Sequence, residues 1–143
     1  MQENNEFEMI TIEKVVKVSP EKAWDTWTKP EHIVNWNTAT DGWTTPFAEN
    51  DLKVGGIFRT AFGSPDGKND FVFSGVYTRI EEGFMIGYTM EDGRTAVVTF
   101  EEVEGGTKIT ETFAAEKMNS IEMQREGWQS ILENFAKYAE GLK

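Results

Sequence analysis

The chain contains no cysteine and a single histidine, His32. Without thiols there are no disulfides, thiolate nucleophiles or Cys-based metal sites, which fits a reducing compartment. One imidazole leaves no Ser-His-Asp or Cys-His set with redundancy to spare. The Walker pattern, the G-x-G-x-x-G fingerprint and the His/Glu spacing of metalloproteases are all missing. "DGKND" falls short of the twelve-residue calcium-loop pattern. No metal and no cofactor are therefore expected. Bases are scarce too: 14 Lys and Arg face 25 Asp and Glu, for a formal net charge of −11. That balance argues against nucleic acid, since phosphate binding needs a basic face to release counterions, and against docking on anionic lipid. No apolar run approaches the ~18 residues that suggest a membrane-spanning helix, so no membrane insertion is expected. The opening "MQENNEFEMI" lacks the basic and apolar regions of a secretory signal. A cytoplasmic location is the resulting expectation.

What is present suits one globular domain. The chain has 143 residues, 38% of them apolar and 27% charged, and a domain of this size buries enough surface to need no staples. Aromatics are generous, with 10 Phe and 5 Trp. Four of the tryptophans, Trp24, Trp27, Trp36 and Trp43, crowd into "EKAWDTWTKPEHIVNWNTATDGW". Such a cluster fills a core, walls a ligand cavity or forms a patch for a partner.

Residues 1–8 read as a flexible polar tail, and 9–143 as a single domain. "FEMITIEKVVKVS" alternates, with Ile10, Ile12, Val16 and Val18 on one parity, as in a half-buried strand. Ser19, Pro20 and Glu21 then mark a helix start, and Trp24 and Trp27 share a face of that helix. Thr28 and Glu31 have capping-box spacing, and Pro30 opens a second short helix. From about residue 43 to 115 the pattern is β-rich. "GIFRTAF", "FVFSGVYTRI", "FMIGYTM", "RTAVVTFEEV" and "TKITETFA" are separated by turns such as Asp92-Gly93 and Gly105-Gly106. Connections this short require antiparallel pairing. Finally, Trp128, Ile131, Leu132, Phe135, Ala139 and Leu142 form one apolar stripe on a long helix. Glu133 and Lys137 provide an i,i+4 pair on its polar side, and Gly141 is placed to end it. Gly127 interrupts this helix at a cost of roughly 1 kcal/mol, which suggests a close backbone approach or a bend over a cavity.

"SPEKAWDTWTKPEHIVNW", "DLKVGGIFRTAF", "GVYTRI", "AVVTFEEVEGGTKITETF" and "REGWQSILENFAKYAEGL" together resemble the START-like (SRPBCC) helix-grip superfamily. The resemblance is to the branch homologous to the C-terminal domain of the heat-shock chaperone ATPase activator, and it runs from about residue 10 to 142. It implies an α+β helix-grip fold: a curved antiparallel sheet of about six or seven strands, two short helices, and a long C-terminal helix enclosing a cavity. It also implies binding of small apolar ligands, with cyclases and dehydratases among more distant relatives. Asn37 stands where relatives often carry a second aromatic after the position of Trp36, which implies a more polar cavity mouth. Glu81-Glu82-Gly83 replaces a hairpin usually marked by proline, which alters a turn.

The candidate ligand-binding residues are Trp24, Trp36, Phe58, Phe73, Tyr88, Phe100, Glu111, Trp128 and Phe135. No catalytic residue is assigned. Trp27 is expected in the core, Trp43 on a rim, Arg59 in solvent, and His32 in an exposed or capping role. Strand parity puts Glu111 inward between Ile109 and Phe113. A buried carboxylate must find a partner or protonate, so the options are a cross-strand Arg or Lys, a bulge that turns it outward, or a ligand donor. Tyr88 could likewise offer its hydroxyl to a buried partner or a ligand. The leading expectation is non-enzymatic binding of a small hydrophobic or amphipathic ligand in an internal cavity. The alternatives are a cyclase- or dehydratase-type enzyme acting on an aromatic or polyketide-like substrate, and a protein-binding module making a chaperone or homodimer contact.

Overall fold

The computed structural model describes residues 8–37, 44–64, 66–68 and 71–142. Most of the expected tail, Trp43 and parts of the "GSPDGKND" turn lie outside them. The elements run β1 (Met9–Val16), α1 (Pro20–Thr28), α2 (Pro30–Trp36), β2 (Thr44–Asn50), β3 (Ile57–Gly63), β4 (Phe71–Glu81), β5 (Met85–Met90), β6 (Thr95–Val103), β7 (Gly106–Ala114) and α3 (Ile121–Gly141). All seven strands form one antiparallel sheet in the order β1-β7-β6-β5-β4-β3-β2. This is the α+β helix-grip architecture the sequence pointed to. The meander follows from short turns, and only β1 reaches its neighbour across the whole chain.

Alternation decides which face is buried. Ile10, Ile12 and Val16 of β1, Ala96, Val98 and Phe100 of β6, and Ile109, Glu111 and Phe113 of β7 all point to the inner side. Leu132, Phe135, Ala136 and Ala139 of α3 close over them, each large side chain contributing roughly 1.5–3 kcal/mol on full burial. Helix α3 is seated mainly on β1, and α2 on β2. Between these two supports the inner surface of β3, β4 and β5 faces a space.

Local details adjust several expectations. Ser19 caps α1 by accepting from the Lys22 N–H at 3.2 Å. The capping box at Thr28 does not form, because the Thr28 hydroxyl donates back to the Trp24 carbonyl at 2.8 Å and Lys29 occupies the N-cap of α2. Glu133 pairs with Lys14 of β1 at 2.9 Å, so the ion pair joins helix to sheet. Gly141 stays helical and Leu142 is the C-cap. Strand β2 carries Pro46, which is tolerated because β2 is an edge strand with a register shift between Thr44 and Phe47.

Candidate functional site

The space between sheet and helices is a cavity of about 530 Å³, within the usual range for small-molecule sites. Strand β3 supplies Phe58, Thr60 and Phe62; β4 supplies Phe71, Phe73 and Tyr77; β5 supplies Ile86 and Tyr88. The helices add Trp27, Ile33, Trp36, Trp128 and Ile131. Aromatic rings therefore dominate the walls. Gly75 lets the Phe58 ring sit where it does: a Cβ there would lie 2.7 Å from the Thr89 carbonyl oxygen and 2.8 Å from the Phe58 ring.

Of the candidate residues, Trp36, Phe58, Phe73, Tyr88, Glu111 and Trp128 lie on these walls, whereas Trp24, Phe100 and Phe135 do not. Those three belong to a solid cluster. Trp24 meets Phe100 edge-on at 5.4 Å, and Phe135 packs against both Trp27 and Trp36 at 4.9 Å. The reason is positional: α1 packs on β6, α2 and α3 together, so the rings where they meet touch one another. Trp27, expected in the core, has one side in that cluster and another on the cavity. Tyr77, Asn50 and Glu49 also border the space. Tyr77 was legible from its shared parity with Phe73, while Asn50 and Glu49 depend on the unrecognised β2.

Hydrogen bonds hold the frame. The Trp36 indole N–H donates to the Thr26 carbonyl at 2.9 Å. The Tyr77 hydroxyl donates to Asn50 Oδ1, and Asn50 Nδ2 donates to the Thr28 carbonyl at 2.5 Å. Trp128 stacks flat on Phe113 at 3.8 Å, which locks α3 beside β7. At the end formed by the N-terminus of α3, Gln124 bonds the Glu116 N–H at 2.8 Å and the Asn119 carbonyl at 2.9 Å. There Arg94 donates to Asp92 at 2.7 Å and to the Ala114 carbonyl at 3.0 Å. Asn37 borders the cavity as well.

Glu111 is the exception to this satisfied network. It is 5% exposed, its cross-strand neighbours are Ile12 and Val98, and its in-strand neighbours on the same face are Ile109 and Phe113. Neither a cross-strand base nor a bulge relieves it. Among the described residues its carboxyl group has no hydrogen-bond or ion-pair partner. Burial alone pushes its pKa up to about 8, so the neutral acid prevails at pH 7. Tyr88, two strands away on the same inner face, is 9% exposed. Burial first, and then the negative charge available at Glu111, raise its pKa well above the ordinary value.

His32 is not on the cavity wall. Its Nδ1 meets the Tyr138 hydroxyl at 2.7 Å, tying α2 to α3 rather than capping or standing exposed. Arg59 pairs with Glu49 at 3.3 Å on the outer surface. Gly127 has nothing within 4 Å of where a Cβ would stand, so the expected close approach is absent. Among the described residues no cluster of His, Asp and Glu is placed to hold a metal, and no helix is long and apolar enough to cross a membrane.

Comparison with known proteins agrees with the architecture. The solution structure of an AHSA1-like protein from Aeromonas hydrophila is 38% identical, with a TM-score of 0.88 over 93% of this chain and 92% of that one. A protein from Cytophaga hutchinsonii is 41% identical, with a TM-score of 0.80 over 92% and 91%. A Chromobacterium violaceum protein shares the fold at 21% identity, with a TM-score of 0.85 over 94% and 99%. No functionally curated protein matches the sequence. The family described as "Activator of Hsp90 ATPase homolog 1-like protein" matches residues 17–140, and the chain belongs to that family.

Proposed function

We propose that this protein is a non-enzymatic receptor that encloses a small amphipathic molecule between α3 and the curved sheet. The observation that carries the reading is the aromatic-walled cavity of about 530 Å³. Protein interiors are normally packed to crystal density, so a space of this size forfeits contacts that an occupant would restore. Rings from three helices and three strands offer that occupant an apolar bed, and the few polar groups around it would set its orientation. His32 is committed to Tyr138, so no imidazole stands beside Glu111 among the described residues.

Titration with a panel of apolar and amphipathic compounds, read by tryptophan fluorescence and melting temperature, tests this. Saturable quenching with a raised melting temperature is expected for part of the panel. Thr60→Phe, which fills the space from β3, should abolish both signals. A panel that leaves the wild type and Thr60→Phe equally unaffected overturns the reading.

One further observation favours a second use of the same fold. Phe47, Ile57, Val72 and Val76 are each at least 40% exposed, and Ile57 pairs with Val76 across β3 and β4. An apolar outer face of this kind suits a protein contact, and the family name points to a chaperone. Capture of an Hsp90-type chaperone by the wild type, lost in Ile57→Lys, would support it; equal capture by both would count against it.

A further inference from the structure

We infer that the cavity selects a hydrophobic amine, whose ammonium group pairs with the Glu111 carboxylate while its apolar body lies among the surrounding rings. The inference rests on the cavity reading above and names the chemistry of its occupant. Glu111 is a built polar anchor: nine-tenths buried or more, on the cavity wall, ringed by Ile12, Val98, Ile109 and Phe113, and without a partner among the described residues. The other charged side chains around the space are accounted for: Glu49 pairs with Arg59, Arg94 with Asp92, and Glu116 accepts from Asn119. A fully desolvated carboxyl group left bare is costly, and a bound group that pairs with it offsets that cost where the geometry is good.

Three features favour a cation over an anion. Of the charged groups on the walls, Glu49, Glu116 and the one guanidinium, Arg94, are already bonded to Arg59, Asn119 and Asp92, which leaves the Glu111 carboxyl as the group an occupant would meet. The faces of Trp36, Phe58, Tyr77, Tyr88 and Trp128 attract positive charge. The whole chain, at −11, steers cations inward. The Tyr88 hydroxyl, free on the same face, offers the ammonium a second acceptor.

Proton balance follows. Burial holds Glu111 neutral up to about pH 8, so binding a protonated amine below that pH expels one proton from the carboxyl group to solvent. The other charged groups facing this region do not intervene. Lys14 of β1 is paired with Glu133 of α3, Glu116 is bonded to Asn119, β6 presents Ala96, Val98 and Phe100, and Tyr77 and Tyr88 titrate far above neutrality.

The test is calorimetric titration with 1-naphthylmethylamine and its isostere 1-naphthalenemethanol, on the wild type and Glu111→Gln. Measurements run from pH 6 to pH 8 in two buffers of different ionisation enthalpy. The amine should bind at least tenfold tighter than the alcohol at pH 8. Its affinity should rise about tenfold from pH 6 to pH 7 and less steeply towards pH 8, with close to one proton released at pH 6.5. Glu111→Gln should bring the amine down to the level of the alcohol and leave the alcohol unchanged. Equal affinities in the wild type, an amine unaffected by Glu111→Gln, or affinity that falls as pH rises would each overturn the inference. If the alcohol still binds in those cases, the cavity reading survives; if neither compound binds and the panel above is also silent, both fall.

Discussion

At the scale of single residues, Glu111 governs how stability should respond to pH. Its folded pKa of about 8 lies above the ordinary value of 4.5, so between those values the folded state holds a proton that the unfolded chain has released. Stability present below pH 4.5 is therefore lost progressively as pH rises to 8, by up to roughly 4 kcal/mol. The melting temperature of the wild type should fall from pH 5 to pH 8. That of Glu111→Gln should stay nearly level and exceed the wild type at pH 8; parallel curves would refute the assignment. Gly127 leads to a separate expectation. Nothing lies near its missing Cβ, so Gly127→Ala should gain roughly 0.5–1 kcal/mol from helix propensity alone, seen as a melting temperature higher by a few degrees. Parity along β7 made the inward direction of Glu111 readable from the chain. Its lack of a partner was not readable, because Ile12 comes from a strand about a hundred residues away.

At the scale of elements, the helices are held by different means at their ends and along their faces. Ser120 caps α3 by accepting from the Met123 N–H at 3.1 Å, and Ser120→Ala should cost about 1 kcal/mol in denaturant unfolding. Phe135 is fully buried between Trp27 and Trp36. Phe135→Ala should cost about 3–5 kcal/mol in denaturant unfolding. The apolar stripe of α3 and the Pro and Ser signals of α1 were legible because each is a short-range pattern. Strand β2 was not. Its "TTPFAEN" alternates weakly, Pro46 removes a ladder donor, and an edge strand needs pairing on one side only.

At the scale of the whole molecule, charge dominates the response to solvent. Ion pairs such as Lys29 with Asp25, Lys53 with Asp51 and Arg59 with Glu49 are half-exposed or more and contribute little each. The net charge of −11 repels itself in the compact state. Raising the salt from 10 to 200 mM should therefore increase the melting temperature through screening; a decrease would show that the ion pairs outweigh the repulsion. The sequence by itself determined the antiparallel meander, the two proline-started helices, the covering stripe of α3 and the inward parity of its strands. These rest on periodicity, turn chemistry and capping, all local along the chain. Only the tertiary structure decided which aromatics face a space and which face one another. Trp24, Phe100 and Phe135 have the same composition and parity signals as Trp36, Phe58 and Trp128. They differ in whether they fall where the helices meet β6 and one another, and that follows from where α1 and α3 come to rest on the curved sheet.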